Sequence, residues 1–164
     1  MAEIDILIAI DAATIVAKTT TPSMDPNNPI QADPNSIFMV TSAADVVSGN
    51  GGDELNVKAE TGDTIRWREM SLSLDVDDRV MLYAFQDSGG GLIQAPQAIV
   101  ITITDSVPGN PPLPPSTQTI QDFFWQTTVL KPGTDTYHFS FVITSRTGTV
   151  LGYYMWDPFI TISS

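Results

Sequence analysis

The chain of 164 residues contains no cysteine. That excludes disulfides, thiolate metal sites and a cysteine nucleophile, and gives no sign of an oxidising compartment. Cations are scarce too: seven Lys and Arg stand against nineteen Asp and Glu, a net charge of −12. The seven (Lys18, Lys58, Arg66, Arg68, Arg79, Lys131 and Arg146) are scattered. Binding to nucleic acid or anionic lipid begins at a clustered basic surface that releases counterions, so neither is an expected partner. Long apolar runs are missing; a stretch such as Ile6 to Ile10 is far below the ~20 residues a membrane-spanning helix needs. The opening Met1-Ala2-Glu3-Ile4-Asp5 has acids where an export signal carries Lys or Arg, and the expectation is a cytoplasmic protein.

What is present is period-two alternation. Glu3 to Asp11 puts Ile4, Ile6, Ile8 and Ile10 on one face of a strand. Thr19 to Ser36, with Pro22, Pro26, Pro29 and Pro34, reads as a long loop. Ile37 to Thr41 is a short strand, and Ser48 to Asp53 a turn. Leu55 to Ala59 and Thr64 to Arg68, joined by Thr61-Gly62-Asp63, read as a hairpin with Ile65 and Trp67 inward. Beyond Glu69 the apolar parity shifts to Met70, Leu72 and Leu74, the sign of a bulge or a sheet switch.

Arg79 to Gln86 is nearly continuous in apolar residues, which predicts a central strand buried on both faces. Ala98 to Thr104 follows with Ile99, Ile101 and Ile103 inward. The proline-rich Asp105 to Thr119 reads as a crossover between sheets. Asp122 to Lys131 is mainly strand, with helical spacing in Ile120, Phe123 and Phe124 at its start. Pro132-Gly133-Thr134-Asp135 turns, and Tyr137, Phe139, Phe141 and Ile143 alternate with His138, Ser140, Val142 and Thr144, the clearest hairpin in the sequence. Arg146-Thr147-Gly148 turns once more, Val150 to Trp156 forms a strand, Asp157-Pro158 breaks it, and Phe159 to Ile162 completes the chain. About nine short strands without a long helix predict a single all-β domain over residues 1–164. The expected architecture is a two-sheet antiparallel sandwich, immunoglobulin-like or jelly-roll-like.

Candidate chemistry is sparse. His138 is the sole histidine and lies mid-strand, without a Gly-x-Ser-x-Gly elbow, so it reads as structural. Asp75-Val76-Asp77-Asp78 and Asn50 to Glu54 lack the ligand offsets of a calcium loop and read as solvated turns. Asp11, Asp45, Asp63 and Asp157 have no spacing that fixes a carboxylate pair. Gly89-Gly90-Gly91 lacks the lysine and helix of a phosphate cradle. No catalytic residue, cofactor or metal is expected. Trp67, Phe123, Trp125, Tyr153, Tyr154 and Trp156 suit a core, a subunit interface or a sugar-stacking platform. Tyr137, following Pro132-Gly133, has the position of a corner tyrosine. Tyr153, Tyr154, Trp156 and Phe159 are the candidate interface or ligand platform.

Six dispersed blocks carry a family resemblance. They are Ile4 to Ala12 (IDILIAIDA), Gly62 to Arg68 (GDTIRWR), Val80 to Phe85 (VMLYAF), Gln121 to Leu130 (QDFFWQTTVL), Tyr137 to Phe141 (YHFSF) and Gly152 to Ile160 (GYYMWDPFI). Together they resemble the PixA/AidA family of bacterial inclusion-body proteins over nearly the whole chain. The resemblance implies a cytoplasmic bacterial protein, accumulated as inclusions in some relatives and under quorum-sensing control in others, without an established enzymatic activity. It carries over no catalytic residue. The chain departs from methionine-rich, inclusion-forming relatives in having only six Met. The expectation is a non-enzymatic structural or storage protein that self-associates, as a homodimer through a strand edge or the Tyr153 to Phe159 segment. The alternative is a carbohydrate-binding module using surface aromatics.

Overall fold

The computed structural model describes residues 1–87 and 89–162, as a sandwich of two mixed sheets. In chain order the strands are β1 (Glu3–Ile10), β2 (Ile30–Gln31), β3 (Ile37–Val40), β4 (Val46–Ser48), β5 (Asn56–Ala59) and β6 (Thr64–Ser71). They continue with β7 (Asp78–Asp87), β8 (Gln97–Val107), β9 (Ser116–Thr128), β10 (Gly133–Ser145), β11 (Val150–Trp156) and β12 (Phe159–Ile162). The five-stranded sheet runs β3-β1-β6-β9-β8. In the second sheet the order is β2-β11-β10-β12-β5-β4, with β7 also on β10. The β10 ladder spans the Asp157-Pro158 break in one register, Phe139 opposite Trp156 and Thr136 opposite Phe159.

Alternation builds the core. The isoleucines of β1 (Ile4, Ile6, Ile8, Ile10) and Ile65 and Trp67 of β6 face Tyr137, Phe139, Phe141 and Ile143 of β10 in one buried cluster. The rings of Trp67, Phe85, Tyr137 and Trp125 meet at centroid distances of 5.1 to 6.3 Å. All three tryptophan N–H groups are satisfied, donating to Tyr137 Oη, the Leu82 carbonyl and the Asp53 carbonyl.

The all-β sandwich expectation holds; its details change. Among the described residues there are twelve strands rather than about nine, and β1–β6, β2–β11 and β5–β12 pair in parallel, so neither sheet is purely antiparallel. A helix, α1 (Ala12–Lys18), follows β1. Its Thr14, Ile15 and Val16 are weak helix formers. Asp11 caps it, accepting from the Thr14 N–H at 3.0 Å and the Thr14 hydroxyl at 2.7 Å, and Ala12 and Ile15 are buried.

The predicted Leu55–Arg68 hairpin does not form. β5 pairs with β4 and β12 in one sheet, whereas β6 pairs with β1 and β9 in the other, so the Gly62 turn links the two layers. The proline-rich segment is the converse case: it closes a β8–β9 hairpin within one sheet. Residues Ile120, Phe123 and Phe124 are strand throughout. Among the described residues β7 is an edge strand paired with β10 alone, and Met81 is exposed, so its apolar run reflects contact with the opposing sheet on one face.

Candidate functional site

Period two along β10 sends Tyr137, Phe139 and Phe141 inward, and therefore His138, Ser140 and Val142 to the outer face of the second sheet. Antiparallel pairing sets Gln86 of β7 opposite His138 and Ala84 opposite Ser140. β11, on the other side, sets Met155 opposite Ser140 and Tyr153 opposite Val142. The loop after α1 then folds over this surface. Tyr153 donates its N–H to the Ser23 carbonyl (2.9 Å), and the Tyr83 hydroxyl donates to the Pro26 carbonyl (2.7 Å).

Asp25 organises the tip of that loop. Its carboxylate accepts from the Asn27 N–H (2.9 Å) and side-chain amide (3.2 Å) and from the Asn28 side-chain amide (2.6 Å). These bonds, the Asn27 N–H foremost, hold its pKa below the ordinary value.

Between loop and sheet lies a groove of about 530 Å³ whose polar walls include Asn27, Asn28, Tyr83, Gln86, His138 and Ser140. His138 Nδ1 is buried there without a hydrogen-bond partner. Partial burial pushes the Tyr83 phenol up. The Tyr83 and Tyr153 rings meet edge to face at 5.7 Å beside the groove. The arrangement offers amide, hydroxyl and imidazole groups in one concavity, the donor and acceptor mix that a small polar ligand requires. Among the described residues no three His, Cys, Asp or Glu side chains gather to hold a metal ion.

The four aromatic candidates of the C-terminal segment separate. Tyr153 is half-buried on the outer face beside the groove. Tyr154 points the other way and is buried against Phe141 (5.6 Å), and Trp156 is likewise in the core. The side chain of Phe159 lies outside the described residues. Sequence reasoning missed Asn27, Asn28, Tyr83 and Gln86; the sole signal was that histidine occupies a polar position on an otherwise aromatic strand.

A second feature is the far end of the five-stranded sheet. β9 pairs with β6 only through Trp125–Thr128, whereas its ladder with β8 runs from Gln126 out to Ser116. The two long strands therefore project as an arm. Register places Ile99, Ile101 and Ile103 opposite Phe124, Asp122 and Ile120. This row shares the outer face with Arg66 and Arg68, so the isoleucines expected inward are turned away from the second sheet and are only half-buried. Alternation identifies residues sharing a face, but not which face meets the core.

Arg66 bonds both oxygens of Asp5 (2.6 and 2.9 Å) and lies over the Phe124 ring at 5.6 Å, and Arg68 pairs with Asp122. On the arm's opposite face Val100 is 68% exposed. Among the described residues no helix is long and apolar enough to cross a membrane.

Comparison with known proteins gives one family. The model of the PixA family, described as inclusion body protein, matches residues 2–162. The crystal structure of an inclusion body protein from Burkholderia cenocepacia J2315 superposes with a TM-score of 0.86 at 24% identity, covering 99% of this chain and 96% of that one. At that identity it speaks to the fold alone. The solution structure of amebosin aligns at a TM-score of 0.27 and 8% identity, over 74% of this chain and 93% of that one, and carries no argument. No curated protein matches.

Proposed function

This chain belongs to the PixA family of inclusion body proteins, and from that premise we propose a non-enzymatic, self-associating cytoplasmic protein with a structural or storage role. The observation that carries the reading is the β8–β9 arm. It extends beyond the β6 ladder with apolar side chains on both faces, Ile99, Ile101 and Ile103 on one and Val100 on the other. A strongly acidic protein gains little by holding such surface against water, and burial between copies removes it. Family membership supports accumulation at the high local concentration that makes weak contacts count. The quorum-sensing control seen with some relatives belongs to the same reading, as a link between accumulation and cell density. Sedimentation velocity at micromolar concentration tests it: dimers or larger species are expected, and a lone monomer peak over the whole range defeats it.

A second reading, saccharide binding, is favoured by the groove at His138. Its polar walls and the adjoining Tyr83–Tyr153 pair suit a ligand with several hydroxyls. A glycan array, followed by calorimetric titration of the best hit, tests this. Binding lost in Gln86→Ala and His138→Ala supports it, and an array without hits dismisses it.

A further inference from the structure

We propose that the free edge of β8 pairs with β8 of a second copy about a two-fold axis at Ile101, joining two five-stranded sheets into one of ten strands. The inference rests on the self-association read above and names its surface and register.

The edges of the two sheets are not alike. β2 has two residues and β4 three. β3 has four, and its outer side is occupied by Gly51 and Gly52, which exchange bonds of 2.8 Å with Met39. β7 is long, but its register shifts at its pairing with Ser140 and Phe141, and it carries Asp78, Arg79 and Asp87. Such bulges and charges are how soluble proteins blunt an edge. β8 has neither. Its eleven residues contain no Pro, Gly or Lys and a single charge, Asp105, and its register with β9 runs unshifted from Gln97 to Val107. Among the described residues it ends the sheet with no strand beyond it. A long, regular, unprotected edge persists in a soluble protein when something pairs with it.

A second copy is the occupant that the chemistry selects. An antiparallel edge is its own complement under a two-fold axis normal to the sheet, because each N–H and C=O meets its counterpart on the partner. Such an axis sets one residue opposite itself, and charge decides which. With Ile101 at the axis, Ile99 faces the partner's Ile103, and each Asp105 faces the partner's neutral Gln97 amide. Moving the axis to Thr102 sets each Asp105 against Ile99, and moving it to Ile103 sets each against Ile101, so both desolvate a carboxylate against isoleucine. The Ile101 register also aligns the isoleucines of both copies into one stripe across the joined outer face. In a chain of net charge −12, this edge brings only one carboxylate per copy, Asp105, to the joint.

The chain's lack of cysteine makes the register directly readable. Opposed Cα atoms of an antiparallel pair lie about 4.5–5.5 Å apart, within disulfide reach. The full chain carrying Ile101→Cys, oxidised with diamide, is expected to double its mass on a non-reducing gel. Ile99→Cys and Ile103→Cys should each stay monomeric alone and cross-link when mixed. Thr104→Cys, which faces the partner's Ala98, should not self-link. Dimers in sedimentation without a cross-link at position 101 overturn this interface and leave self-association standing. Monomer alone overturns both.

Discussion

Trp67 of one sheet donates its indole N–H to the Tyr137 hydroxyl of the other at 3.0 Å, both side chains almost wholly buried. The bond crosses the middle of the sandwich, where neither group has another partner to turn to. Burial pushes the Tyr137 phenol up, so it stays protonated and accepts the indole proton through its oxygen.

Tyr137→Phe leaves the indole N–H buried and unpaired and should cost about 1–3 kcal/mol; Trp67→Phe adds a cavity to the orphaned hydroxyl. The double variant should be more stable than the summed single losses predict. Urea unfolding of all four proteins checks this, and strict additivity would show that the bond contributes nothing.

Glu69 points inward from β6, is 7% exposed and has Oε2 without a partner. Burial raises its pKa from 4.5 to about 7. Below 4.5 the carboxyl is neutral folded or unfolded; as pH rises towards 7 the unfolded chain ionises first, so folding stability declines, and above 7 the penalty is constant. Glu69→Gln should therefore stabilise the protein by about 2–3 kcal/mol at pH 8 and by almost nothing at pH 4. Melting temperatures at the two pH values decide it, an equal shift at both counting against the buried carboxylate.

Asp63 ties the start of the chain to the Gly62 turn, accepting from the Ala2 N–H at 2.6 Å and the Glu60 N–H at 2.8 Å. These bonds, that of Ala2 foremost, lower its pKa below 3.8, so its contribution is present above that value and lost as pH falls through the folded one. Asp63→Ala should destabilise by about 2 kcal/mol at neutral pH. The difference from the parent chain should narrow in acid, which thermal melts across the range will reveal.

Gly152 lies where β11 meets the loop that roofs the groove. A Cβ there would stand 2.9 Å from Pro22 Cβ and from the Tyr154 ring. Gly152→Ala should cost about 1–3 kcal/mol and displace the loop. Faster amide exchange at Tyr153, whose N–H bonds the Ser23 carbonyl, is the expected signature; unchanged exchange with full stability would mean that the loop absorbs the methyl group.

The sequence by itself determined the class of fold and most of what lies inside. Alternation of isoleucine and aromatic residues in β1, β6 and β10 has one stable outcome, a buried layer between sheets, because strand side chains repeat every two residues. The strands on either side of Arg146-Thr147-Gly148 were legible, but the hairpin expected at the Pro132-Gly133-Thr134-Asp135 turn does not form, because β9 and β10 lie in different sheets and β10 pairs instead with β11. Helix α1 was not legible, since Thr14, Ile15 and Val16 at its centre favour strand, and the Asp11 cap and burial of Ile15 tip them into helix. Tertiary structure alone decided which sheet each strand joins and which side of β8 meets water. Parallel pairing of β1 with β6 joins segments some sixty residues apart, and nothing local records it. The groove has the same origin: Asn27, Tyr83 and His138 are remote in sequence, and they meet because a loop crosses one sheet face, a contact that depends on three-dimensional packing rather than on any pattern along the chain.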